Sequence, residues 1–478
     1  MTLYQRLNEY SESDYYGFHM PGHKRNRNLM GNGLPYSIDI TEIEGFDDLH
    51  HAANVLKEAQ ERAARVYGAQ ESHFLINGST AGILSAVLGN TQRGDAVLVA
   101  RNCHKSVYHG IYLNDLKPYY LYPEFRQDIE LNTGISVSAV KTALKEHSEI
   151  RAVIIVSPTY DGVLSDVRGI AQAVHEKGIP LIVDEAHGAH FGFHPYFPEN
   201  ALAKGADVVI HSVHKTLPAL TQSALLHMQG SYANRRKVRK YLDMLQSSSP
   251  SYILMAGIDA CMDMLENRRE EVFDPYVDRL KALRESLREL KALRLIETEG
   301  ETYDPSKLLI SAGDTGLSGR QLYRKLLEEY HLQMEMAAGS YVLAMTAVGD
   351  TKEGFDRLRD ALFAIDAQVL EGRWKDMPIR KRVCGRLPAA EMVYTSYELE
   401  ALLENAKAHG VQFVPWQKAA GYISTEYAYL YPPGIPLIVP GERITEEIAD
   451  MCAAYHTLGF TIEGLKGEEG YIEVLENG

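Results

Sequence analysis

Between residues 50 and 230 the chain alternates between two hydrophobic periodicities. Short continuous apolar runs at 73–76, 96–100, 119–122, 152–156, 180–183 and 207–210 read as strands. Runs without polar alternation are expected of strands buried on both faces, as in a parallel sheet covered by helices. Between them, 52–67 places Leu56, Ala59, Ala63 and Val66 on one helical face, 79–88 opens behind a Ser/Thr cap, and 170–177 is again helical. The fold class this implies is α/β with a mostly parallel, doubly wound sheet. Farther on, 266–291 reads as a long charged helix. An α+β pattern follows, with strands at 307–310 and 342–347 and helices at 319–329 and 353–364. A last region contains the Pro/Gly-rich stretch Tyr431-Pro432-Pro433-Gly434-Ile435-Pro436. The expected division is an N-terminal segment 1–50, a major domain 51–290, a small α+β domain 291–370 and a C-terminal domain 371–478.

Composition narrows the function classes. The net charge of −15 opposes nucleic acid as the main partner, because phosphate binding needs a basic surface. It would mildly favour a cationic small molecule by steering. No apolar run approaches the ~20 residues of a membrane span, and the polar start of the chain lacks the apolar core of a signal peptide. Cys103, Cys261, Cys384 and Cys452 are scattered, with no CxxC pair, so neither a disulfide framework nor a zinc finger is indicated. A cytoplasmic location is expected.

Candidate chemistry gathers where the strand-like runs end. Asn77-Gly78-Ser79-Thr80-Ala81-Gly82 follows one run and opens a helix, an arrangement that makes an anion cup from backbone N–H groups and hydroxyls. Taken alone it is equally a capped helix after a glycine turn. Asp184-Glu185-Ala186-His187 follows another run. It invites a helicase DEAH reading, but that needs a phosphate loop ending in Gly-Lys, and no such pair occurs. A metal site of Asp184, His187 and His190, or an Asp that merely caps the sheet, are the other readings. Ser212-Val213-His214-Lys215-Thr216 follows the next run. A lysine there faces the crevice where open α/β sheets bind ligands, and burial would lower its pKa and favour a nucleophilic amine. An Asp and a Lys at the ends of successive buried strands suit pyridoxal phosphate, the lysine carrying the cofactor and the aspartate holding its ring nitrogen protonated. His104, in Arg101-Asn102-Cys103-His104-Lys105-Ser106, could lie on such a ring or be a satisfied core histidine. Cys103 lacks the partner spacing of a nucleophile.

Taken in order, these segments resemble the bacterial ornithine/lysine/arginine decarboxylases. So do Ser157-Pro158-Thr159-Tyr160-Asp161-Gly162, Phe18-His19-Met20-Pro21-Gly22-His23-Lys24, Asp39-Ile40-Thr41-Glu42, Gly45-Phe46-Asp47-Asp48-Leu49-His50 and Pro440-Gly441-Glu442. The resemblance runs nearly the whole length. It implies the aspartate-aminotransferase-like fold and pyridoxal 5'-phosphate on Lys215. Asp184 would pair with the ring nitrogen, with His104 and Ala186 on the two ring faces. Ser79, Thr80, Ala81, Ser212 and His214 would hold the phosphate. His187, where some relatives carry Trp, would lie near the ring hydroxyl. The implied reaction is α-decarboxylation of a basic amino acid in polyamine metabolism, by a homodimer sharing its active sites to which residues 1–50 contribute. With the FHMPGHK segment starting at residue 18, the chain resembles the short form that lacks a receiver-like domain. An aminotransferase using Arg382 or Arg386 for the substrate carboxylate is an alternative within the fold, and a non-catalytic cofactor-binding protein is another. Asp161, Glu42, Glu44, Asp47, Asp48 and Glu426 are candidate readers of the substrate's distal cation, with arginine slightly preferred over lysine.

Overall fold

A computed structural model describes residues 14, 16–18, 42, 47–297, 302–313, 315–372, 386–404, 410–430, 434–457 and 460–476. Seven strands form the central sheet: β1 (Glu71–Leu75), β2 (Ala96–Ala100), β3 (Lys117–Leu121), β4 (Ile150–Val156), β5 (Leu181–Asp184), β6 (Val208–His211) and β7 (Ala224–Met228). Their spatial order is β1-β7-β6-β5-β4-β2-β3. The five strands from β6 to β3 run parallel, and β7 is antiparallel to both of its neighbours. Strands β2, β5 and β6 are buried at every residue, as their unbroken apolar runs require.

Helices cover the sheet. α1 (Val55–Tyr67) buries Leu56, Ala59 and Ala63, as its pattern predicts. α2 (Gly78–Asn90) lies close on the sheet because Gly82 has no Cβ: one built there would sit 2.5 Å from Leu75 and 3.5 Å from Ile210. α3 (Lys105–Leu113), α4 (Val137–Glu146) and α5 (Val167–His175) complete the crossovers, and α6 (Val213–Thr216) is a single turn after β6.

The sequence reading is corrected at one strand and sharpened at one helix. Strand β7 is absent from the sequence reading, because His227 interrupts its apolar run. That imidazole is buried and accommodated by Ser72 Oγ at 2.6 Å and by the Tyr67 ring. The charged helix expected over 266–291 is α9 (Arg269–Leu287), which follows α7 (Arg235–Leu245) and α8 (Tyr252–Asn267) and is separated from α8 by the non-helical backbone of Arg268.

Beyond α9, four antiparallel strands form a second sheet: β8 (Arg294–Leu295), β9 (Lys307–Ser311), β10 (Met336–Ala337) and β11 (Tyr341–Met345), in the order β8-β9-β11-β10. Helices α10 (Gly319–Tyr330) and α11 (Lys352–Leu370) accompany it. The C-terminal residues pair Val411–Pro415 with Tyr471–Leu475 and build a separate apolar cluster around Trp416, Ile438, Ile448 and Ile472. Among the described residues no helix is long and apolar enough to cross a membrane.

Candidate active site

The parallel strands deliver their C-terminal ends to one edge of the sheet, and the candidate residues collect there. Asp184 ends β5, in register with Val156 of β4 and Ile210 of β6. It is buried and accepts a hydrogen bond from the Ala186 N–H at 3.1 Å. Burial pushes its carboxyl above the usual range, and the charge of Lys215 pulls it back. A further N–H or cation placed against that carboxylate would offset the cost of its burial.

Lys215 lies on α6, one short turn beyond β6. Its Nζ is 2.9 Å from His187 Nε2. Burial lowers its pKa, opposed by Asp184 and Glu335, so the amine is biased toward the neutral, nucleophilic form. His104 caps α3, its Nδ1 2.9 Å from Ser106 Oγ. Burial, Lys215 and Lys105 hold its imidazole down to about 3, so it is a neutral ring at this site.

The anion cup is also formed. Gly78 adopts φ +73° to start α2, and the Asn77 side chain makes no capping bond to the helix. The first N–H groups of α2 are therefore not taken by a side-chain cap. Ser79 Oγ and Ser212 Oγ meet at 2.6 Å across the mouth, joining α2 to the β6–α6 turn. Thr80 is exposed at this end and Ala81 is buried. His214 is turned by its Nδ1 onto the Ser223 carbonyl at 2.8 Å. An anion joined to an aromatic ring with a basic nitrogen and an aldehyde finds here a helix N-terminus with hydroxyls, a buried carboxylate and a neutral-biased amine, so the residues present fit such a group.

His187 and His190 do not converge as a metal pair. His190 Nε2 bonds Asp304 at 3.1 Å, while His187 is held between Lys215 and Lys307. Among the described residues no group of three or more His, Cys, Asp or Glu has metal-holding geometry. Cys103 is buried, and burial pushes its thiol far up, which opposes thiolate chemistry.

Two participants, Lys307 and Glu335, escape sequence reasoning, whereas Asp161 is among the candidates. Lys307, the first residue of β9, is fully buried with its Nζ 3.0 Å from His187 Nδ1. Its signal was a charged residue heading the apolar run Leu308-Leu309-Ile310. Glu335 accepts a hydrogen bond from Tyr160 Oη and acts on both lysines. Asp161 accepts from Tyr341 Oη at 2.6 Å. Asp161 and Glu335 share the wall of a cavity of about 720 Å³ between the second sheet and the C-terminal residues. Asp47 and Asp48 are instead spent on turn and helix-start N–H groups, and Glu426 on Lys466 and Glu473 N–H groups. Glu42 is described, with a buried Oε1 that has no hydrogen-bond partner. Arg386 reaches the same cavity. Glu44, Arg382, Cys384, residues 19–24, 39–41, 45–46 and 431–433 lie outside the described residues.

Arg101 ties two of the sequence segments together. Its buried guanidinium donates to the Pro436 carbonyl at 2.6 Å, the Leu437 carbonyl at 3.4 Å and Glu442 Oε2 at 3.1 Å. Lys105 N–H donates to the Gly434 carbonyl at 3.3 Å. The C-terminal residues are thereby fastened to the turn that carries His104.

The chain resembles known proteins over most of its length. Residues 1–302 match the Orn/Lys/Arg decarboxylase major domain, and 383–464 match the C-terminal domain of the same family. The chain is 32% identical to an arginine decarboxylase of Bacillus anthracis, over 97% of this chain and 94% of that one. It is 31% identical to an arginine decarboxylase of Bacillus subtilis, over 93% and 91%. A lysine decarboxylase from Francisella novicida superposes with a TM-score of 0.76 at 22% identity, covering 90% of this chain and 73% of that one. The fold is thus that of the pyridoxal-phosphate-dependent transferases, an α/β architecture with a mostly parallel sheet and additional C-terminal structure. With a major domain and a C-terminal domain both matched in order, the chain belongs to the Orn/Lys/Arg decarboxylase family.

Proposed function

We propose that the chain is a pyridoxal-phosphate-dependent α-decarboxylase of a basic amino acid, with arginine as the preferred substrate. The observation that carries this reading is the meeting of Lys215, Asp184 and His104 beside a helix N-terminus whose N–H groups are not side-chain capped. Lys215 would hold the cofactor covalently, and Asp184 would accept from its ring N–H. His104 and Ala186 would bound its two faces, with His187 beside Lys215. Ser79, Thr80, Ala81, Ser212 and His214 would take the phosphate. Pyridoxal phosphate supplies the electron sink for the pair left when carbon dioxide departs. The chain's own task would be to orient the substrate for loss of its carboxylate and to return a proton to Cα from Lys215 or His214.

Glu335 and Asp161 are the proposed readers of the substrate's distal cation, since they line the cavity beside the lysine cluster. The names of the Bacillus relatives favour arginine. A cytoplasmic homodimer serving polyamine synthesis completes the proposal. So does a division at about 50, 290 and 370, which is supported by the separate sheets and the separate C-terminal apolar cluster. Lys215→Ala should abolish covalent cofactor attachment, read by mass spectrometry after borohydride reduction, together with turnover. A variant that keeps both would overturn the assignment. Keto-acid formation in place of carbon dioxide would indicate an aminotransferase.

A further inference from the structure

His187 is bracketed by two lysines. Lys215 Nζ is 2.9 Å from its Nε2, and Lys307 Nζ is 3.0 Å from its Nδ1. The two amines come from different sheets: Lys215 follows β6 and Lys307 begins β9. Lys307 is 0% exposed, a rare state for a lysine without a role for its charge. Its stem is clamped at Gly162, where an added Cβ would lie 2.8 Å from Lys307 Cγ. Its main-chain carbonyl accepts from Tyr303 Oη at 3.2 Å. Its ammonium stands 5.8 Å from the centroid of the Tyr160 ring.

The charges around this row decide where the protons sit. Asp304, Glu335 and Asp161 favour the ammonium form of Lys307, against burial, which brings its pKa down to about 8. Asp184 and Glu335 act on Lys215. His187 feels both lysines together with His104 and His214, and burial with these neighbours keeps it neutral. A neutral imidazole has one N–H and one acceptor nitrogen. An ammonium on Lys307 can only donate, so Nδ1 must accept and the ring proton sits on Nε2. That N–H then points at the Lys215 nitrogen, which can accept only with its lone pair free.

We propose that Lys307 is a positioning residue: as a buried ammonium it fixes the tautomer of His187 and thereby holds Lys215 as a neutral amine. The inference rests on the reading of Lys215 as the cofactor lysine only for its functional meaning, and the row of protons stands without it. Removing the Lys307 charge frees His187 to accept from a protonated Lys215, so the Lys215 amine should become harder to deprotonate.

The test uses the full chain with cofactor stripped. Brief acetic anhydride labelling is performed across a pH series, and acetyl-Lys215 is quantified by peptide mass spectrometry. Only a neutral amine reacts, so the midpoint reports its ionisation independently of accessibility. In Lys307→Met the midpoint should rise by about one pH unit, lowering neutral-pH labelling about tenfold. Lys307→Arg, which keeps a cationic donor, should restore the wild-type midpoint. If the Met chain loses its circular dichroism signal, Lys307→Gln substitutes for it, with a rise in the same direction. An unchanged or lowered midpoint in a folded neutral variant, or no rescue by a folded Arg variant, would overturn the proposal. A shifted midpoint in a protein that decarboxylates no amino acid would leave the inference standing and overturn the functional reading.

Discussion

Arg101→Met removes one partner of a buried ion pair and should release the C-terminal residues from the major domain. Both side chains are about 1% exposed, so bulk water does not reach the pair. Burial pushes the Glu442 carboxyl up, and Arg101 is the main force holding it down. Without Arg101, Glu442 keeps its hydrogen bond from Val439 N–H at 2.9 Å, but no cation faces it among the described hydrogen bonds. Breaking a buried pair from one side costs about 3–5 kcal/mol. The lost donors to the Pro436 and Leu437 carbonyls fall within that figure, because contributions inside one network are not additive. At about 1.4 kcal/mol per decade, opening of this contact should become roughly a hundred- to several-thousand-fold more frequent. The assay is amide hydrogen exchange on peptides spanning 434–443, with β4 and β5 peptides as an internal control, since one unfolding free energy is ill defined for a chain of several parts. The double variant Arg101→Met/Glu442→Gln should lose less than the sum of its single changes. An acceleration below about fivefold, or additivity of the two substitutions, would refute the argument.

Other outcomes follow from the same geometry. Glu335→Gln should raise KM for the basic amino acid about tenfold, with a smaller effect on kcat, if its carboxylate pairs with the substrate's distal cation; an unchanged KM would remove Glu335 from that role. Burial works against the charge of Glu71, yet hydrogen bonds from His73 and Arg239 hold its carboxyl at about 2. A depressed carboxylate stabilises the fold fully above its ordinary value of 4.5, and the contribution is lost as the pH falls toward 2. The packing of β1 against α7 should therefore weaken between about pH 4.5 and 2 in exchange experiments, and Glu71→Gln should flatten that dependence.

The central sheet was legible because burial on both faces writes itself as unbroken apolar runs, and β2 matches its run residue for residue. Strand β7 was not, since His227 breaks the apolar signal and is met by Ser72 on the neighbouring strand and by the ring of Tyr67 on α1. The Asp184 and Lys215 pair could be read locally because each follows its own strand. Lys307 and Glu335 could not, because they belong to the second sheet and to a residue beside it, and reach the site only through tertiary packing. The sequence also held Arg101 and Pro436 as separate segments of one resemblance. Their physical reason for occurring together, a guanidinium donating to a carbonyl, appears only when the chain is folded.

The most direct measurement is carbon dioxide release by the cofactor-loaded protein supplied in parallel with arginine, lysine and ornithine. Carbon dioxide should be released from a basic amino acid, arginine foremost, with one equivalent of the matching amine and none from Lys215→Ala. Covalently attached cofactor with no carbon dioxide from any of the three would contradict it.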